Sequence, residues 1–291
     1  AWILIAPALI LLASVAGWPL LRTLFYSFTD AALDTPDVYN MVGFDNYLSW
    51  VDGESFGVLA DPLWWKAVLN TLWFTGISVS FELFFGMLLA MLMNQKFRGQ
   101  GLVRAAILVP WAIPTIVTAK MWGWMLHDQF GLINQLLVDW GFIAQKIAFT
   151  ADPHYALWTV VAVDVWKTTP FMALLILAGL QTLPKDCYEA AKVDGVHPLR
   201  VFWKVTLPLI RQPLLVAMVF RLLDALRVFD LIYVLTSNDS STISMSGLVM
   251  RELVEAGNVG FGSAASTSLF LIIMLSAVVF LRATRVKLAE A

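Results

Sequence analysis

Apolar residues gather into six long runs, near 2–28, 64–93, 102–126, 156–181, 213–236 and 264–284, separated by more polar stretches. Crossing a hydrocarbon core of ~30 Å takes ~20 mostly apolar residues in helical form, and each run reaches that length. Lipid offers no water to backbone N–H and C=O groups, so each run is predicted to be a helix. The expectation is an all-α, multi-pass membrane bundle of six transmembrane helices, filling a single domain over 1–291. An even span count puts both termini on one side. The first run, Trp2 to Phe28, is longer than the apolar part of a signal peptide, so it is expected to be retained as a span. The chain opens on Ala1 without an initiator Met, so a preceding N-terminal segment is expected.

Composition agrees with this pattern. Hydrophobic residues make up 59% of the chain and charged residues 14%, whereas a soluble domain carries about 45–50% and about 25%. Basic residues are scattered over loops rather than gathered in a patch, which gives no footprint for nucleic acid. The lone Cys187 excludes an internal disulfide. Lys and Arg distribution sets orientation. Residues 30–63 hold seven acidic side chains and no Lys or Arg, and 127–155 and 238–263 add only Lys146 and Arg251. On the other side stand Lys96, Arg98 and Arg104, then Lys185, Lys192, Arg200, Lys204 and Arg211, then Arg282, Arg285 and Lys287. The 182–212 loop and both termini are therefore expected in the cytoplasm.

That loop is the most ordered polar stretch. A short helix is predicted over 185–196, with Pro184 in its first turn, Asp186 and Glu189 near its positive end and Gly195 as its stop. The small side chains of Ala190 and Ala191 would let another surface approach the backbone. Pro198, Pro208 and Pro213 add stiffness, and Phe202 and Trp203 are expected to pack on the bundle. A well-capped connector with no partner would share these features.

Glu189, Ala190, Ala191, Asp194, Gly195, Phe202, Leu207, Pro208 and Pro213 together resemble the EAA loop of binding-protein-dependent ABC importer permeases. The number of spans and the position of the loop between the fourth and fifth agree with maltose-type carbohydrate permeases. Val165 to Met172 and Phe220 to Thr236 look like the trehalose, maltose and α-glucoside subgroup. One departure is Ser237 to Ser241, where such permeases often have a Gly-rich, Pro-containing turn. The resemblance implies a type I importer permease fold, with Glu189, Ala190, Ala191, Asp194 and Gly195 docking on an ATPase. It further implies a second, similar permease, two cytoplasmic ATPase subunits and an extracytoplasmic solute-binding protein. ATP and Mg would be bound by the ATPases, with no cofactor in this chain.

Charges inside the spans add candidate chemistry, since a charge at a helix centre costs ~2.5–3.5 kcal/mol on insertion scales unless a cavity or partner receives it. Asp164, Lys167, Thr168 and Phe171 fall on one helical stripe, and Arg221, Asp224, Ala225 and Val228 on a second. Arg227 and Asp230 are expected to turn away from that stripe. In maltose-type permeases the helices flanking the loop hold sugar contacts, which by resemblance fall here on Asp164, Lys167, Thr168, Phe171, Arg221, Ala225 and Val228. Asp224 joins them by its place on the stripe. Structural ion pairs that hold the bundle together are the competing reading. Glu82 and Lys120 are expected to meet partners in the bundle or near an interface, and Pro110 and Pro114 to kink the third span.

Other classes fit less well. The chain has no G-x-S-x-G, no H-E-x-x-H and no G-x-x-x-x-G-K-[ST], so neither an intramembrane hydrolase nor an ATP site of its own is supported. No inverted repeat of the kind found in secondary transporters is visible. The expected function is the permease subunit of an ATP-driven importer, carrying a disaccharide or α-glucoside such as trehalose or maltose. An anionic cargo, a sulfonated sugar or glycerol phosphate, is the alternative.

Overall fold

Helices account for nearly all regular structure in the computed structural model, which describes residues 2–35, 38–184 and 186–284, without the side chains of 2–4. Asp37, Lys185, Arg285 and Lys287, which entered the charge argument, lie outside the described residues. The first run is helical as α1 (Trp2–Leu12) and α2 (Trp18–Tyr26), joined by a π-helical turn, Ala13–Gly17. A short hairpin follows, β1 (Ser49–Val51) and β2 (Glu54–Phe56), in register Trp50 to Ser55. The second span is α3 (Pro62–Asn94), and the fourth is α7 (Ala156–Gln181), within the ranges expected from sequence to about two residues. The sixth is α14 (Val259–Thr284), which starts five residues before the apolar run because Gly, Ser and Ala continue the helix.

The third and fifth spans differ from straight helices. The third is α4 (Gln100–Ala112) and α5 (Thr115–Met125), bent by 90°. Pro114 forces Ile113 out of the helical region, to φ −75°, ψ 131°, and so ends α4. Pro110 sits inside α4 without breaking it, so the bend comes from Pro114 alone. The fifth run contains α11 (Arg211–Ala225) and α12 (Asp230–Thr236), with non-helical backbone between them. Short helices α6 (Leu132–Asp139) and α13 (Met245–Met250) lie in the connections before α7 and α14. Among the described residues, four helices are long and apolar enough to cross a membrane, and up to six spans result if each of two bent pairs counts as one. The second pair joins Pro198–Leu209 to Arg211–Ala225 at 70°. Pro213 lacks the N–H that a continuous helix would donate to Leu209, so the chain turns there.

The chain divides into two compact units, Ala1–Thr71 with Ile243–Leu275, and Leu72–Thr242 with Ser276–Ala291. In the first, Trp64, Ala67, Val68, Ile243, Met245, Leu248, Ala264 and Ala265 form the core. Asn46 donates to the Ser27 and Thr29 carbonyls at 3.0 and 2.7 Å, tying the acidic segment to the end of α2. In the second, α4, α5, α11 and α12 all pack on α7. Two glycines permit close approach. A Cβ on Gly86 of α3 would lie 2.8 Å from Met172 Cγ, and one on Gly179 of α7 would lie 2.6 Å from Pro213 Cβ. Small residues at such crossings let apolar helices approach closely enough for van der Waals contact, the force available in lipid.

Candidate functional site

The second unit holds an open-mouthed cavity of about 420 Å³ between α7, α11, the C-terminal end of α4 and the break before α12. Its wall contains Asp164, Lys167, Thr168 and Phe171 of α7, Arg221, Asp224 and Ala225 of α11, and Val228 from the break. The two stripes read from sequence thus meet across one space. Arg227 and Asp230 also line it, contrary to the expectation that they turn away. The expectation extends helical phase through 226–229, but the helix stops at Ala225, and the Arg227 and Val228 N–H groups bond back to the Asp224 and Ala225 carbonyls in tight turns. Irregular backbone at membrane depth is tolerated where it lines a cavity rather than lipid.

Beneath this wall lies a buried ion-pair network that begins on α3. Glu82 has 0% of its surface exposed and Arg221 2%. Arg221 donates from Nε to Glu82 Oε2 at 2.5 Å and from Nη2 to Oε1 at 2.6 Å, a bidentate fork. Nη2 also reaches Asp164 Oδ2 at 3.2 Å and Thr168 Oγ1 at 3.3 Å, and Nη1 pairs with Asp224. Ser78 lies between the two carboxylates, 3.0 Å from Glu82 Oε1 and 2.5 Å from Asp164 Oδ2. Thr168 donates to Glu82 or to its own helix at the Asp164 carbonyl, both at 2.6 Å. Glu82 therefore meets a partner inside the bundle, as expected. Lys120 does not: it is exposed on α5, with no hydrogen bond or ion pair among the described residues.

This network separates the charged groups by availability. The guanidinium faces the cavity with each nitrogen already bonded to a carboxylate. Asp224 keeps a side chain 66% exposed, free to accept from a ligand hydroxyl. Lys167 is 9% exposed and has no hydrogen-bond or ion-pair partner among the described residues, so its donors are open to the cavity. Opposite lies an aromatic surface, with Trp111 and Phe171 stacked at 5.6 Å and 16°. Convergent polar groups beside an aromatic face suit a polyhydroxy ligand. Sequence reasoning did not place Ser78, Trp111 or Thr115 here. Ser78 and Glu82 stand four apart in a long apolar helix, the signal that marks a functional polar face within a span.

At the other end of α7, the polar loop forms α8 (Asp186–Val193), shorter than the predicted 185–196, with Pro184 outside it. Asp186 and Glu189 occupy its first turn. Gly195, at φ +64°, closes it: Gly195 N donates to Lys192 O at 3.2 Å and Val196 N to Ala191 O at 3.0 Å. Those two bonds are the Schellman pattern, and the left-handed position is why glycine suits it. Glu189, Ala190, Asp194 and Gly195 are exposed and Ala191 is half-buried. Two more short helices follow, α9 (Pro198–Val201) and α10 (Leu207–Leu209), joined by a π-helical turn, Phe202–Thr206. Tyr188 donates to Thr206 Oγ1 at 3.1 Å, and Phe202 packs against the second core. Trp203, expected to pack there as well, meets the Phe202 ring edge-to-face at 5.4 Å but is 64% exposed.

Residues 82–287 match the family described as "Binding-protein-dependent transport system inner membrane component". The chain is 36% identical to the sulfoquinovosyl glycerol transport system permease protein SmoG of Agrobacterium fabrum, over 98% of this chain and 90% of that protein. It is 39% identical to the trehalose/maltose transport system permease protein MalF of Thermococcus litoralis, over 84% and 80% of the two chains. The trehalose transport system permease protein SugA of Mycobacterium tuberculosis is also 39% identical, over 97% and 87%. Among solved structures, a chain of a bacterial ABC transporter involved in import of the acidic polysaccharide alginate matches with TM-score 0.81 and 21% identity, covering 99% of this chain and 96% of that one. That likeness shows the fold, the type I importer permease fold. The chain belongs to the family of binding-protein-dependent transport system inner-membrane components, as an ABC transporter permease subunit rather than an enzyme.

Proposed function

We propose that this chain carries a sugar across the cytoplasmic membrane, with the α7–α11 cavity as its binding site and α8 as the element that receives force from an ATPase. The observation that supports the cavity reading most is the juxtaposition of an open carboxylate, an unpartnered ammonium and a stacked aromatic pair around one space of about 420 Å³. Asp224 accepts sugar hydroxyls, Lys167 donates to hydroxyl or ring oxygens, and the Trp111–Phe171 face lies against the C–H surface of the ring. Thr168, Ala225 and Val228 complete the wall. Trehalose or maltose is the favoured cargo, by likeness to the relatives named for them.

A second permease, two ATPase subunits and an external binding protein complete the assembly in this reading. Both termini and α8 face the cytoplasm. ATP and Mg act on the ATPases, and the nucleotide cycle changes cavity orientation only in so far as it binds one orientation better than the other. The sulfoquinovosyl glycerol relative and the open Lys167 ammonium favour a second reading, in which the cargo is anionic.

The test is uptake of radiolabelled trehalose and maltose by the complete transporter in proteoliposomes. F171A and D224N should each lower uptake at least about tenfold, the loss of one good contact, while the complex still assembles and hydrolyses ATP. Uptake at the unsubstituted rate in both variants would remove the proposed site.

A further inference from the structure

We propose that Glu82 sets the charge selectivity of the cavity, making it accept uncharged sugars and reject sulfonated or phosphorylated ones. This rests on the cavity being the sugar site. Glu82 does not itself line the cavity: it is fully buried on α3 and acts through Arg221, which does. Both forks of its carboxylate are occupied by Nε and Nη2 of the guanidinium, at 2.5 and 2.6 Å. Asp164 takes Nη2 from one side and Asp224 takes Nη1 from the other. Arg221 is thereby surrounded by three carboxylates, although on position alone it faces the cavity and would be the natural anion receptor.

The charge balance points the same way. Glu82, Asp164 and Asp224 stand against Arg221 and Lys167, a formal charge of −1 for the cluster. Arg227 and Asp230, the remaining charged groups on the wall, cancel. An uncharged polyol meets donors and acceptors here without net repulsion. A sulfonate or phosphate meets a wall that stays net negative with the Lys167 ammonium already counted. Glu82 is the member that decides this, because it supplies the full counter-charge to Arg221 while offering nothing to a ligand. In this scheme it is a positioning residue, and Lys167 and Asp224 make the sugar contacts.

The experiment measures equilibrium binding of radiolabelled trehalose, trehalose 6-phosphate and sulfoquinovosyl glycerol to the purified permease–ATPase complex in nanodiscs, without the external binding protein. The unsubstituted complex should bind trehalose and discriminate against both anions. E82Q uncovers a guanidinium and brings the cluster to zero. A unit charge several ångströms from an anion, in a partly screened site, should raise the anion-to-trehalose affinity ratio about tenfold to a hundredfold. E82D, which keeps the charge, should keep the original ratio, and E82Q/R221Q, which removes the uncovered cation as well, should return to it. A purely structural Glu82 would instead weaken all three ligands together, and an unchanged ratio in E82Q overturns the proposal. If E82Q fails to assemble, D164N removes another counter-charge of Arg221 and must raise the same ratio; no rise there overturns it too. An unsubstituted complex that prefers the anions overturns charge rejection while leaving sugar import standing. One that binds none of the three defeats the sugar site itself.

Discussion

Replacing Arg221 with methionine should be the most damaging single change in the second unit. The substitution keeps most of the side-chain volume and removes five N–H donors. Glu82, fully buried, then retains only the Ser78 and Thr168 hydroxyls as donors, and Asp164 loses its cation at 3.2 Å. Breaking a buried pair from one side costs about 3–5 kcal/mol, since the remaining charge is stranded in low dielectric. At about 2–4 °C per kcal/mol for a chain of this size class, the melting temperature should fall by about 6–20 °C. Glu82→Met should cost less, because Arg221 keeps Asp164 and Asp224. The double variant should recover most of the loss, because a buried ion pair exchanged for apolar residues of similar volume is often near neutral. The assay is thermal unfolding of the detergent-purified complex followed by tryptophan fluorescence, run as a double-mutant cycle. An R221M shift under about 2 °C, or a double variant worse than R221M alone, would refute the view that this pair carries a stranded-charge penalty.

Two further outcomes test the packing and the coupling element. Gly179→Val places methyl carbon where Pro213 Cβ stands 2.6 Å from the ideal Cβ position, so α7 and α11 must separate. Overpacking of this kind costs about 1–3 kcal/mol, readable as a lower melting temperature, and unchanged stability would show that the helices have room to shift. Ala190→Trp, on the exposed face of α8, should leave melting temperature and membrane insertion intact while abolishing sugar-stimulated ATP hydrolysis. Normal stimulated hydrolysis would remove α8 from the force path.

Much of the fold was legible because lipid imposes a simple rule on the sequence. The continuous spans α3 and α7 were placed within about two residues from apolar length alone. Breaks were harder, since hydropathy does not register a backbone that stops being helical while remaining apolar. Pro114 announced its own bend, but nothing apolar or polar in Leu226 to Phe229 marks the end of α11. That silence is why Arg227 and Asp230 were assigned to the wrong face. The cavity wall itself was legible for the opposite reason: Asp164, Lys167, Arg221 and Asp224 are conspicuous in an apolar setting, and helical spacing within α7 and α11 carries correctly over one or two turns. Their division of labour was not legible. Periodicity groups Arg221 with Asp224 on one face but cannot show that Glu82, from a helix more than a hundred residues earlier in the chain, already occupies the guanidinium.

The placement of the breaks has a mechanical consequence. A continuous helix through the cavity would move as one rod, and a push at one end would shift both ends together. Here the 90° turn at Ile113–Pro114 and the interruption after Ala225 adjoin the cavity, while α7 runs unbroken from Ala156 to Gln181 beside them. Motion can therefore be taken up where the regular i to i−4 helical ladder is already interrupted, at Ile113 and around Arg227 and Val228, whose N–H groups bond three residues back in tight turns. The Glu82–Arg221 fork ties α3 to α11 before the break and Asp164 joins α7 to the same network, so on this reasoning a shift falls to the segment from Arg227 onward. A disulfide engineered between α12 and α7, which pack on each other, would hold the segment beyond the break to the unbroken helix. On this reasoning it should stop transport under oxidising conditions and restore it on reduction, with sugar binding retained in both states. Transport that continues with the crosslink formed would place the moving element elsewhere.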